Sequence, residues 1–139
     1  MLFRSSRSDS APAVRMASMT RESSPTLVFD EVDAGIGGEA AVQVGLRLKA
    51  LGTRRQVLVV THLAQIACFA DRHLVVEKAP GAGGRVVVRV RELATDDERA
   101  RELARMMSGT ITEKALARAR ELMDEARGGA ALRAIRSAR

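Results

Sequence analysis

Residues 26–38 read TLVFDEVDAGIGG, and this stretch decides the fold. Its first four residues form a short apolar run, which is typical of a strand buried on both faces in a parallel sheet. Two acidic residues end the run abruptly, and three glycines within the next seven positions indicate a tight loop. The stretch therefore predicts a buried strand followed by a loop that leads into the next element.

A helix and a second strand follow the glycine loop. Apolar residues recur at helical spacing up to Gly52, which is expected to stop the helix, and they are Ala41, Val44, Leu48 and Leu51. A second apolar run, QVLVVT, occupies residues 56–61. Strand, helix and strand in this order form a βαβ unit, so the two strands are predicted to be parallel and the fold class is α/β.

The remaining elements are a hairpin and two helices. We predict a short helix over 63–70, a strand over 73–77, a turn over 80–84 and an edge strand over 85–91. In the last of these, arginine and valine alternate, which is typical of an edge strand.

Two capping-box patterns predict the starts of the last two helices. Thr95 with Glu98 precedes a helix expected to end near Gly109, and Thr110 with Glu113 precedes one expected to end near Gly128.

Composition and charge divide the 139 residues into three parts. Residues 1–24 carry no periodic pattern and are predicted to be a disordered leader, 25–125 form the folded part, and 126–139 form a basic tail. The net charge of +6 lies at the two ends, because residues 25–125 hold 15 basic and 15 acidic side chains. No apolar run is long enough for a membrane span or a secretory signal, so we expect a soluble cytoplasmic protein.

Polar side chains follow both strands of the βαβ unit. They are Asp30, Glu31 and Asp33 after the first strand, and Thr61 and His62 after the second. Carboxyl ends of parallel strands are where ligands gather, and crowded carboxylates are costly unless a cation compensates them. Mg²⁺ bound to a phosphate ligand is one such compensation. An acidic pair at a strand end is also compatible with a solvated turn or a helix cap, and a lone histidine with a structural hydrogen bond.

Three segments together resemble one protein family. They are TLVFDEVDAGIGG at 26–38, VVTHLAQIA at 59–67 and ADRHLVVEK at 70–78. In motif and order they resemble the C-terminal part of the RecN family of bacterial DNA repair proteins, over residues 25–123. This family belongs with the SMC-like proteins, whose ATPase heads are built like those of ABC transporters. The resemblance implies part of a P-loop NTPase head lobe, with parallel strands, one edge hairpin strand and two C-terminal helices.

The resemblance also implies roles for single residues. Asp30 matches the Walker B aspartate that holds magnesium, Glu31 matches the catalytic carboxylate, and His62 matches the switch histidine that contacts the γ-phosphate. The loop at 33–38 matches the D-loop of the nucleotide site, including Asp33, Gly35, Gly37 and Gly38. One departure is that the aspartate ending this loop in many ABC heads aligns with Gly37.

Two parts of an ATPase head are missing from the sequence. It contains no Gly-Lys dipeptide for a Walker A loop, and no signature motif precedes Asp30. We therefore expect a truncated member with an unrelated leader, which does not hydrolyse ATP alone and exposes an apolar face. In the full-length context the resemblance implies ATP and Mg²⁺ as cofactors, DNA and the head of a second copy as partners, and a cytoplasmic, nucleoid-associated location.

Two other functions are compatible with the residues. The chain could be a non-enzymatic module that pairs with a separate ATPase half or binds DNA through its arginine-rich ends. Alternatively, Asp30, Glu31 and Asp33 could form the magnesium site of a topoisomerase-primase-like nuclease, although His62 has no role there.

Overall fold

A computed structural model describes residues 2–3 and 26–128 of the chain. Its strands are β1 (Leu2–Phe3), β2 (Thr26–Phe29), β3 (Gln56–Val59), β4 (His73–Pro80) and β5 (Val86–Leu93). Its helices are α1 (Gly38–Gly52), α2 (Ala64–Ala67), α3 (Asp96–Ser108) and α4 (Glu113–Arg127), with a short 3₁₀ turn at Ala82–Gly84. The fold is mixed α/β, as predicted.

The predicted βαβ unit is confirmed. β2 and β3 pair in parallel, with Leu27 beside Val57 and Phe29 beside Val59, and α1 connects them. These four side chains face the core: the two valines of β3 are buried, and the two residues of β2 pack against the buried cluster.

Burial of this sheet differs from the prediction on one face. Val28 is 65% exposed and Val60 is 56% exposed, although a strand buried on both faces was predicted. The strand's alternation explains the difference, because Val28 points away from Leu27 and Phe29. The buried cluster lies on the side of Leu27 and Phe29, and the other face is only partly covered by the described residues.

β1 occupies the second edge of β3. It pairs antiparallel with β3, so the sheet has the order β1-β3-β2. At Leu2–Phe3 the structure therefore differs from the predicted disordered leader, because these two residues pair with backbone groups at an open edge of β3. The rest of that leader and residues 129–139 of the basic tail lie outside the described residues.

β4 and β5 form a separate antiparallel hairpin in the described part of the chain. The register pairs Val76 with Val90 and Glu77 with Arg89, so Val86, Val88 and Val90 lie on one face of the hairpin and Arg89 and Arg91 on the other, as the alternation predicted. The separation is not complete, because Lys78 pairs with Val88 on the valine face and Val87 lies on the arginine face. The valine face is open, and its exposed members are Val76, Val86, Val88 and Val90.

α3 and α4 form the predicted helical pair, with one correction at a helix start. The Thr95–Glu98 capping box is present and Gly109 ends α3 in the left-handed conformation. The second predicted box is wrong: the N-cap of α4 is Thr112, whose side chain accepts a hydrogen bond from the Ala115 amide. Glu113 is then the first helical residue, two positions before the one from which a glutamate reaches back to its cap.

Close approach of α1 and α2 depends on a glycine. A β-carbon at Gly45 would lie 2.4 Å from the Phe69 ring and 3.1 Å from the Gln65 carbonyl oxygen. Any larger residue would push apart two buried surfaces that are already in contact. This approach holds the segment after β3 in place, and that segment carries the predicted site residues.

Two buried groups and one half-buried arginine lie beside the helices. Burial raises the pKa of the Cys68 thiol to about 12, so this free cysteine is an inert core residue. Burial, with the positive charge of Arg99, lowers the pKa of His73 to about 4 from 6.5. Arg99 donates from Nη2 to the Ala70 carbonyl oxygen at 2.7 Å, whereas His73 Nδ1 has no hydrogen-bond partner among the described residues.

The buried His73 predicts a pH-dependent stability. Because its pKa is lower in the folded state, its contribution is complete above about pH 6.5 and is lost as the pH falls towards 4. We expect the free energy of unfolding to fall by about 2 kcal/mol between pH 7 and pH 5 from this group. Urea unfolding at both pH values should show a smaller fall for His73→Leu. An equal fall in both proteins would assign the effect to another group.

Candidate functional site

The carboxyl ends of β2 and β3 lie side by side. The Val60 amide continues the pairing by donating to the Phe29 carbonyl oxygen at 2.9 Å. The segments that begin with Asp30 and Thr61 therefore leave the sheet from neighbouring strands at the same edge. The two segments that carry the predicted site residues are therefore neighbours.

Asp30 and Glu31 lie at the surface beyond β2. Both are exposed, and neither side chain pairs with another described residue. Glu31 has a φ of 51°, and it is the only non-glycine residue with positive φ in the described part of the chain. Its carbonyl oxygen accepts from the Ala34 amide at 3.2 Å, so a tight turn holds it in this strained conformation. Strained backbone is concentrated at functional sites, which makes Glu31 a candidate on structural grounds as well.

Asp33 is the acidic residue that joins the two segments. It is 4% exposed, and its Oδ2 accepts from the His62 amide at 2.8 Å and from the Thr61 hydroxyl. The Thr61 oxygen in turn accepts from the Leu63 amide at 3.1 Å. One carboxylate thus ties the loop after β2 to the end of β3.

His62 lies over this carboxylate but remains accessible. Its side chain is 78% exposed, and its Nδ1 lies 3.1 Å from Asp33 Oδ2. Both ends of the predicted site are thus linked through Asp33. The sequence placed these residues at neighbouring strand ends, but it carried no signal that Asp33, rather than Asp30 or Glu31, makes the contact.

The hydrogen bonds to Asp33 outweigh the cost of its burial. Burial alone raises the pKa of its carboxyl group, whereas the donors from Thr61 and the His62 amide and the nearby imidazole lower it. The net result is a pKa below the ordinary value of 3.8. Asp33 is therefore a charged acceptor at neutral pH, and its contribution to stability is lost only as the pH falls through that lowered pKa.

The glycines of the loop leave space around the site. Gly35 and Gly38 have φ values of 75° and 53°, which favour glycine, whereas Gly37 is extended and precedes α1. A β-carbon at any of the three would meet no atom within 4 Å. The backbone is therefore accessible at the start of α1. Glycine is favoured at Gly35 and Gly38 by their positive φ angles and not by a lack of space for a side chain.

Two kinds of feature are absent from the described residues. No group of three histidine, cysteine or acidic side chains within 26–128 is arranged to hold a metal ion. No described helix combines the length and the apolar character needed to cross a lipid bilayer.

Comparisons with known proteins identify the family. The chain is 59% identical over 99 residues to the DNA repair protein RecN of Deinococcus radiodurans, covering 71% of the chain and 17% of that protein. It is 53% identical over 105 residues to RecN of Streptomyces coelicolor, covering 74% of the chain and 18% of the relative. The RecN of Mycobacterium tuberculosis (strain H37Rv) is 46% identical over 120 residues, 84% of the chain and 19% of the relative. The chain belongs to the RecN family.

The match corresponds to the C-terminal part of RecN. The chain spans less than a fifth of the length of these RecN proteins. For the Mycobacterium RecN the match covers 84% of the chain, which is more than the stretch 25–123 that carried the resemblance. No protein-family model matches the chain.

The contacts of Asp33 predict a large effect on stability. Asp33→Ala leaves the Thr61 hydroxyl and the His62 amide without their acceptor, so we expect the free energy of unfolding to fall by about 3 kcal/mol. Urea unfolding of the full chain at pH 7 measures this change. Asp30→Ala is the matched control, because Asp30 is exposed and unpaired among the described residues, and it should change stability by less than about 0.5 kcal/mol. Equal effects of the two substitutions would contradict the structural role of Asp33.

Proposed function

We propose that this chain supplies the Walker B, D-loop and switch-histidine residues of a RecN ATPase head in DNA repair. In this proposal the βαβ unit is part of an ABC-type P-loop lobe, and ATP is bound and hydrolysed only in the full-length context. The observation that supports it is that Asp30, Glu31 and His62 follow two neighbouring parallel strands and lie exposed at one edge of the sheet.

Each exposed group has a separate role in the proposal. Glu31 orients the attacking water and accepts its proton, because a carboxylate without a described partner is free to act as a base. His62 contacts the terminal phosphate through its exposed ring. Asp33 holds the two segments in register, and Gly35, Gly37 and Gly38 leave the backbone accessible to nucleotide or to a second head.

The described residues fit a magnesium nucleotide. Asp30 is exposed at the strand end and has no described partner, so it can hold Mg²⁺ through bound water, as one or two carboxylates commonly do. The ion would neutralise charge on the phosphate oxygens. The groups that cradle phosphates, a Walker A loop and its lysine, have no counterpart in this sequence, so another part of RecN would supply them.

Partners follow from the same proposal. The D-loop residues would face the head of a second RecN copy, and DNA would be bound by the whole protein. The relatives are named DNA repair proteins, which supports a role in repair without identifying the DNA structure that is recognised.

A graft experiment tests the catalytic assignment. Residues 25–123 replace the matching segment of Deinococcus radiodurans RecN, and Glu31→Gln is made in the graft. We expect ATP turnover to fall at least about 100-fold, with nucleotide binding retained, because only the base is lost. Glu39→Gln, at an exposed position in the first turn of α1, is the control and should leave turnover unchanged. Undiminished turnover with Glu31→Gln would refute the assignment.

The open valine faces favour a second candidate function, that of a module without activity of its own. Val28 and Val60 on one sheet and four valines on the β4–β5 hairpin are exposed, and clustered exposed apolar side chains are typical of a surface that packs against a partner. In this candidate the chain pairs with a separate protein that carries the phosphate-binding half.

Substitutions on opposite faces of β5 test this pairing. Val88→Thr should weaken binding of the chain to a RecN that lacks the matching C-terminal segment, because Val88 is 59% exposed on the valine face. Val87→Thr, on the other face of the same strand, should leave binding within about twofold of wild type. Sedimentation or titration calorimetry measures both affinities. Equal weakening by the two variants, or no binding of the unaltered chain, would count against the second candidate.

A further inference from the structure

The contact between Asp33 and His62 constrains the imidazole ring. Asp33 Oδ2 accepts the His62 amide at 2.8 Å and lies 3.1 Å from Nδ1 of the same residue. The carboxylate is 3% exposed and is also held by the Thr61 hydroxyl. It therefore cannot move away from the ring without losing two other hydrogen bonds.

This distance decides which nitrogen carries the proton. At 3.1 Å an unprotonated Nδ1 would place its lone pair close to a negatively charged oxygen, which repels it, whereas a protonated Nδ1 is attracted to that oxygen. The favoured neutral form therefore has the proton on Nδ1. Its other nitrogen, Nε2, is then a hydrogen-bond acceptor on a ring that is 78% exposed.

We propose that Asp33 is a positioning residue for His62, which sets its Nδ1–H tautomer and keeps Nε2 available to the site. The significance of this role rests on the proposed function, in which His62 meets a phosphate. An outward Nε2 donates to an anionic oxygen only when the ring carries its second proton. His62 would then meet a phosphate as an imidazolium, with Asp33 as the counter-charge behind it.

The same geometry separates Asp33 from its acidic neighbours. Asp30 and Glu31 are exposed and make no side-chain pair with described residues, so they can act on a ligand directly. Asp33 is buried beneath the ring and acts only through His62 and Thr61. Of these three acidic residues within four positions, Asp30 and Glu31 are thus exposed to solvent and Asp33 is buried in the protein.

Nuclear magnetic resonance of the full chain tests the tautomer directly. The chain contains two histidines, so long-range proton–nitrogen spectra of histidine-labelled protein give two ring patterns, and His73→Gln assigns them. At about pH 8, without nucleotide, His62 should show the Nδ1–H pattern. A predominant Nε2–H pattern in the unaltered chain would overturn the proposal, and this outcome requires no substitution at Asp33.

Two variants identify the carboxylate responsible. Asp33→Ala should shift His62 to the Nε2–H tautomer, whereas Asp30→Ala, the matched control, should leave the Nδ1–H pattern unchanged. An unchanged pattern in a folded Asp33→Ala chain, or a shift in Asp30→Ala, would also overturn it. The measurement involves no ATP, so failure of the Glu31→Gln graft would refute the ATPase proposal while leaving this result intact.

Discussion

The parallel pairing of β2 with β3 is the constraint on which the site depends. Paired parallel strands run in the same direction and end at the same edge of the sheet. The pairing of Phe29 with Val59 therefore brings the residues that follow both strands to one edge. A shift of one residue in this register would turn the core-facing side chains of β3 towards solvent. Burial of Val57 and Val59 therefore fixes the register of β2 and β3, and this register determines where the candidate site residues lie.

Asp33 carries this constraint from the sheet into the loops. Backbone pairing stops at Val60, and beyond it a single carboxylate links the turn after β2 to Thr61 and His62. A buried carboxylate that accepts several donors is stable only if all of them remain in place. The loops are therefore coupled, and a movement of one displaces the other.

Both sheets of this RecN-family chain have an apolar face that is open to solvent. Parallel strands are usually covered on both sides, but Val28 and Val60 are exposed and the hairpin carries a further valine face. The chain spans less than a fifth of the length of the RecN relatives it matches, so in those proteins much more chain is available to cover such surfaces. Some apolar residues that contribute to the strand patterns of this sequence are thus not buried by any described element.

Much of the fold could be predicted from local sequence patterns, because helices, strands and caps are determined largely by residues that are close together in the sequence. The βαβ unit, the alternation of β5 and the Thr95 cap were all predicted, since apolar period and capping chemistry act over a few positions. The second cap was misplaced because Thr110 and Thr112 both precede Glu113, and the path of the chain after Gly109 decides between them. The exposure of Val28 could not be predicted either, because it depends on what packs against the sheet.

The candidate site divides in the same way. From the sequence alone, the acidic pair, the glycine loop and the Thr61–His62 pair could be placed at neighbouring strand ends, and the RecN family was identified by their order. Only the tertiary structure showed that Asp33 is buried against His62 while Asp30 and Glu31 stay exposed. The physical reason is that a contact between residues 29 positions apart is created by strand pairing and loop geometry, and neither residue's neighbours in the sequence encode it.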